Sequence, residues 1–83
     1  MTPFWLVVLL FGKVAAAIGP LPDGAVCDGR LKELSSAFDQ RFEADAFAGA
    51  KPPRQDGRDV ARADFVFECR QAEDPPPREI ELR

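Results

Sequence analysis

Residues 4–18 read FWLVVLLFGKVAAAI, and the first eight of these residues are all apolar. An apolar run of roughly 7 to 15 residues followed by small residues two positions apart is typical of a secretory signal peptide. Ala15 and Ala17 supply the small residues at this spacing. The pattern therefore predicts a signal peptide over residues 1–17, with cleavage before Ile18.

Two other interpretations of the same segment stay open. A membrane-spanning helix needs about 20 apolar residues, whereas residues 3–18 are only 16 residues and include Lys13. An uncleaved anchor is still compatible with the lack of Lys and Arg before the apolar run, since Lys13 can reach the head groups and partner helices can accommodate a short span. The third interpretation is a helix buried in the core of the domain.

The rest of the chain has the composition of one small, marginally stable domain. Residues 19–83 carry 10 Lys and Arg against 14 Asp and Glu, a net charge of −4. Only 13 large apolar residues remain there, which is close to the limit at which chains stop folding unaided. The arginines are interleaved with acids, which argues against nucleic-acid binding. We therefore expect a single domain over residues 18–83.

Most catalytic side chains are missing from the chain. It contains no His, no Tyr and no Asn, so it has neither an imidazole base nor a two-His metal site. Two cysteines cannot supply four zinc ligands. A catalytic carboxylate pair needs a cleft that holds the two groups roughly 5 to 9.5 Å apart, which so short a chain rarely forms. The sequence predicts a protein that is not an enzyme and has no cofactor and no metal.

An amphipathic helix is predicted after the turn signal at residues 22–24. Asp28 is the expected N-cap residue, because its carboxylate can accept bonds from the first free amides. Phe47 falls off the apolar stripe, so we expect the helix to fray before it and to end near Gly49. The stripe, spaced three and four residues apart as a helix face requires, consists of Leu31, Leu34, Phe38 and Phe42.

One strand and a possible second strand follow the helix. Residues 64–71 alternate with Phe65, Phe67 and Cys69 on one face, which predicts a half-buried strand. Residues 78–83 alternate again, with Ile80 and Leu82 on one face. This tail is interpreted either as a second strand or as a free segment that pairs with a partner's sheet.

The predicted fold class is small α+β. One amphipathic helix packs on a short two-stranded antiparallel sheet, after an N-terminal apolar leader, and Pro-rich loops occupy residues 49–59 and 72–77. The predicted core consists of Leu31, Leu34, Phe38, Phe42, Phe65 and Phe67.

The two cysteines are predicted to form a disulfide. Cys27 lies on the side of the helix stripe, and Cys69 lies on the phenylalanine face of the strand. An even number of cysteines in an exported chain favours a disulfide. A bond between Cys27 and Cys69 would stabilise the fold by roughly 4 kcal/mol in the chain-entropy treatment. Free thiols would require a reducing compartment, and a redox-active pair lacks the C-x-x-C spacing.

These features predict an exported, secreted or periplasmic protein that acts through contact with a protein partner, as a binding or inhibitor-like protein. The alternative is an accessory subunit of a larger membrane complex, anchored by the N-terminal segment with its body on the non-cytoplasmic side. Contact with a membrane is expected only if that segment is retained. The candidate partner-binding residues lie in the exposed loop and the tail and are Pro52, Pro53, Arg54, Ile80 and Leu82.

Overall fold

The structure is a computed structural model that describes residues 2–81. Three strands form an antiparallel sheet, and two very short strands form a separate hairpin. The elements in chain order are β1 (Phe4–Leu10), β2 (Lys13–Leu21), α1 (Gly24–Phe47), β3 (Arg54–Gln55), β4 (Arg58–Asp59) and β5 (Phe65–Gln71).

Strand β1 is the central strand of the sheet. It pairs with β2 on one side and with β5 on the other, and the side chains of Val7 and Leu10 are fully buried. A strand that is covered on both faces needs apolar residues at every position, so its sequence shows no alternation. The apolar run at the start of the chain is therefore the middle of the folded domain.

The predicted two-stranded sheet is wrong, because the sheet has three strands, and all of β1 and the first part of β2 come from the segment interpreted as a leader. An unbroken apolar run is typical of both a buried strand and a signal peptide. The small residues Ala15 and Ala17 after the run favoured the signal peptide. The predicted pairing of the tail with β5 is also wrong for residues 78–81, which lie in no strand. Leu82 lies outside the described residues.

A two-residue turn joins β1 to β2. Leu10 pairs with Lys13, and the φ values of Phe11 and Gly12 are 53° and 77°. Two consecutive positive φ values are typical of the type I′ hairpin turn, which matches the twist of paired strands. The guanidinium of Arg58 lies 3.7 Å from the centre of the Phe11 ring, so a cation–π contact covers the exposed turn.

Helix α1 begins earlier than predicted and runs through Phe47. Asp23, not Asp28, is the N-cap, and its Oδ1 accepts a 2.8 Å bond from the amide of Val26. At the other end, the amide of Ala50 bonds to the carbonyl of Asp45 in a Schellman motif. Phe47 closes the last turn with its side chain 96% exposed, because helical hydrogen bonds do not require its side chain to be buried.

The first core cluster lies between α1 and the sheet. The ring of Phe38 lies 5.0 Å from the rings of both Phe65 and Phe67 in edge-to-face geometry, an arrangement that aromatic pairs favour. Leu34 and Phe42 pack against the same cluster, and Leu31 is half-buried on the same side of the helix. The buried members of this cluster are Val8, Leu10, Ala15, Val60 and Phe65.

A second core cluster lies on the opposite face of the sheet, with Trp5, Val7 and Val14 buried. The C-terminal segment runs from the end of β5 to the outer edge of β2. Near its start, the carbonyl of Ala72 accepts a 2.9 Å bond from the Trp5 indole. Near its end, Glu79 exchanges bonds of 2.8 Å with both backbone groups of Val14. Residues 72–80 therefore fasten opposite corners of the sheet.

The predicted disulfide is confirmed. Cys27 and Cys69 are bonded, with a Cα–Cα distance of 6.1 Å, and the bond joins the first turn of α1 to β5. The Cys27 side chain is fully buried. Such disulfides persist in oxidising, non-cytosolic environments. Among residues 2–81, the structure contains no helix that is long and apolar enough to cross a membrane.

Candidate binding cleft

A cleft of about 570 Å³ opens at the end of the sheet where the β1–β2 turn, the β3–β4 hairpin and the C-terminal segment meet. Arg54 and Ile80, two of the residues predicted to bind a partner, lie in its wall although they are 26 residues apart in the chain. The cleft is lined by Lys13, Arg54, Gln55, Asp56, Gly57, Glu79, Ile80 and Glu81.

The β3–β4 hairpin forms one wall, and its sequence explains its shape. Asp56 and Gly57 have φ values of 53° and 76°, and Asp-Gly is among the strongest signals for a type I′ hairpin turn. Arg54 stabilises the turn. It donates a 2.7 Å hydrogen bond to the carbonyl of Gly57 and forms an ion pair with Asp59 at 3.3 Å. The predicted loop at residues 49–59 therefore contains a small, internally bonded hairpin.

The C-terminal segment forms the opposite wall. Its position is fixed to β2 because both Glu79 and Ile80 donate backbone amides to the carbonyl of Val14. The two walls are joined directly by Gln55, whose side-chain amide donates 2.8 Å to the carbonyl of Glu81. One hydrogen bond therefore joins the two walls, which are distant in sequence.

The cleft presents groups of both charges. The exposed Lys13 makes no ion pair within the part of the chain that the structure describes. The acidic residues Asp56 and Glu81 also line the cleft. Across residues 2–81, no group of three or more Cys, Asp or Glu side chains is placed to hold a metal ion. The arrangement is suited to binding a polar segment of mixed charge.

The other predicted partner-binding residues lie apart from this cleft. Pro52 and Pro53 border a separate, more apolar depression of about 320 Å³ beside Phe42 and Val60. The carbonyl of Pro53 accepts a 2.7 Å bond from the amide of Val60, which links this exposed proline to a buried residue of the core. Leu82 lies outside the described residues.

Sequence reasoning missed Lys13, Gln55 and Glu79 as members of the cleft. Lys13 was assigned to the leader, and nothing in the sequence indicated that Glu79 would cap the edge of β2. The Asp56-Gly57 dipeptide was an available signal, because it predicts a hairpin that brings its two neighbours together.

Comparisons with known proteins give no further guide to this cleft. No family model, no curated protein and no solved structure matches the chain. The functional argument therefore depends on the geometry and charges of the chain itself.

Proposed function

We propose that this chain is an exported binding protein, secreted or periplasmic, that acts through contact between the cleft and a protein partner. The observation that carries the proposal is the preformed cleft, whose walls are fastened to each other through Gln55 and to β2 through Glu79. A binding surface that is rigid before contact loses less conformational entropy on association.

The chemistry of the cleft supports a polypeptide as the ligand. Its lining includes the cationic Lys13, the acidic Asp56 and Glu81, and the apolar Ile80. The guanidinium of Arg54 also lines the cleft but is engaged by Gly57 and Asp59. Peptide segments present the same mixture of charged, polar and apolar groups. A small disulfide-linked domain with a fixed surface is also a common design for exported inhibitors, which supports an inhibitor-like mode of action.

The proposal is tested by charge reversal in the cleft. Lys13→Glu changes the sign of a side chain that makes no ion pair within residues 2–81, so we expect the fold to be kept and partner affinity to fall by at least tenfold. The matched control is Lys32→Glu on the exposed face of α1, away from the cleft.

The partner is first identified by photo-cross-linking in the native host, with the reactive amino acid placed at Glu81, whose side chain takes no part in joining the walls, or at Lys32. Affinity is then measured by calorimetry with the purified partner. A partner that cross-links only from position 81 and discriminates Lys13→Glu from Lys32→Glu supports the cleft. Equal cross-linking from both positions, or equal affinity of both variants, contradicts it.

A further inference from the structure

The two edges of the sheet differ in how much of their backbone is already bonded. At the β2 edge, both backbone groups of Val14 are occupied by Glu79, and Pro20 has no amide hydrogen to offer. At the β5 edge, no strand among residues 2–81 lies beyond β5. The β2 edge is therefore blocked at Val14 and at Pro20, whereas residues 67–71 of β5 carry no such block.

The register shows which groups of β5 point outward. Phe11 donates to the carbonyl of Asp64, and Ala72 donates to that of Pro3, so the even-numbered residues from 64 to 72 bond to β1. Along a strand of an antiparallel pair, residues whose backbone bonds to the partner strand alternate with residues whose backbone groups point the other way. The amides and carbonyls of Phe67, Cys69 and Gln71 therefore point away from the sheet, and the described residues supply no partner for them.

The charged side chains of β5 favour one register for a strand that pairs with this edge. Phe65 and Phe67 face α1, so Glu68 and Arg70 lie on the opposite face, where they form an ion pair within the chain and are both partly exposed. In an antiparallel pairing of two β5 strands about a two-fold axis at Cys69, each Glu68 lies directly opposite Arg70 of the second copy. Opposite charges at such positions stabilise a strand pair.

The neighbouring registers are less favourable. An axis at Glu68 places the two Glu68 carboxylates opposite each other, and like charges there are destabilising. An axis at Phe67 places Phe65 opposite Cys69 of the second copy, but the amide and carbonyl of Phe65 are already bonded to Arg62. Only the axis at Cys69 combines free backbone groups with paired charges.

We propose that the chain forms a symmetric dimer through antiparallel pairing of its β5 strands about an axis at Cys69. Each of the pairs Phe67 with Gln71, Cys69 with Cys69 and Gln71 with Phe67 exchanges two backbone bonds across the interface. The joined sheet is continuous from β2 of one copy to β2 of the other, with both copies of α1 on the same face. This surface is separate from the cleft, so its test is independent of the proposed function.

The test uses the full chain with its disulfide intact, in sedimentation equilibrium and light scattering. We expect the wild-type chain to be a dimer at micromolar to millimolar concentration. Glu68→Arg and Arg70→Glu each place like charges opposite each other, so each variant alone should dimerise at least tenfold more weakly. An equimolar mixture of the two variants should recover a mixed dimer, because every cross-strand pair in it is again opposite in charge.

The mixture distinguishes the interface from a purely internal role of these side chains, since neither variant keeps the Glu68–Arg70 pair within its own chain. Gln71→Pro, which removes an outward amide, should also weaken the dimer, while Gln71→Ala keeps that amide and should not. Circular dichroism checks that each variant is folded. A wild-type monomer at millimolar concentration, a mixture that stays monomeric, or pairing of β5 with an unrelated extended peptide while the chain alone is monomeric would overturn the proposal.

Discussion

Arg62 joins three parts of the molecule through one side chain. Its Nη2 donates 2.7 Å to the hydroxyl of Ser35, and its Nε lies 2.7 Å from a carboxylate oxygen of Asp39, so it holds α1 from two positions. Its Nη1 donates to the carbonyl of Phe65 at the start of β5. The guanidinium also lies 5.0 Å from the centre of the Phe67 ring. The helix, the turn before β5 and β5 itself are thus connected at a single residue.

We expect Arg62→Ala to lower the free energy of unfolding by about 1.5–3 kcal/mol, the range for hydrogen bonds to a charged group. The side chain is only 26% exposed, so water compensates little for the lost contacts. Arg41→Ala is the control, because Arg41 pairs with Asp45 at 80% exposure and such pairs contribute at most about 0.5 kcal/mol. Urea unfolding measures both variants, and equal stability of the two would show that Arg62 has no such role.

Among the secondary-structure elements, α1 was predictable and β1 was not, for a physical reason. A helix on the surface keeps one polar face, so its 3.6-residue period was visible in Leu31, Leu34 and Phe38. A central strand has no polar face, and residues 4–10 carried no period that could distinguish a strand from a leader. The disulfide was predictable because Cys27 and Cys69 each lay on an apolar face. The cleft was only partly predictable, because its walls are joined by contacts such as Gln55 to Glu81 that no local pattern encodes.

The described fold needs residues that would be lost if residues 1–17 were removed. Deletion takes away β1 and the first part of β2, including Leu6, Val7 and Leu10, which are at most 1% exposed. We expect a chain that begins at Ile18 to lack the cooperative unfolding transition of the full chain in circular dichroism. Deletion of Met1 alone is the control.

Intact-mass measurement of the protein from its native host shows which form exists. A folded mature species that begins at Ile18 would contradict this sheet and support the predicted cleavage. A folded species that retains residues 4–17 would contradict the predicted cleavage.

At the scale of the whole molecule, the sheet is covered on one face by α1 and on the other by an irregular segment. Residues 72–80 are anchored at Ala72 and at Glu79, on opposite corners of the sheet, and Pro76 between them is half-buried. Three successive prolines suit this covering role, because they hold the chain extended without using backbone amides. Within this segment Ala72, Pro76 and Ile80 are half-buried and the other residues are exposed, so it packs on the outside of the core at a few positions.

Truncation after Gln71 should uncover Trp5, which is the only tryptophan and is 8% exposed in the full chain. We expect acrylamide to quench its fluorescence several times more efficiently in the truncated chain, because the indole loses both its cover and its bond to Ala72. Glu43→Ala, on the exposed face of α1, is the control and should leave the quenching unchanged. Unchanged quenching in the truncated chain would show that residues 72–80 do not protect this face.

The position of β1 next to β2 and far from β5 along the chain sets the order in which the sheet can assemble. Its pairing with β2 joins residues close in sequence, such as Leu10 and Lys13, and needs no residue beyond Leu21. Its other edge has to wait for β5, since Leu10 pairs with Phe65. Until then the most apolar strand of the protein is exposed as an unpaired edge, a condition that promotes aggregation during synthesis.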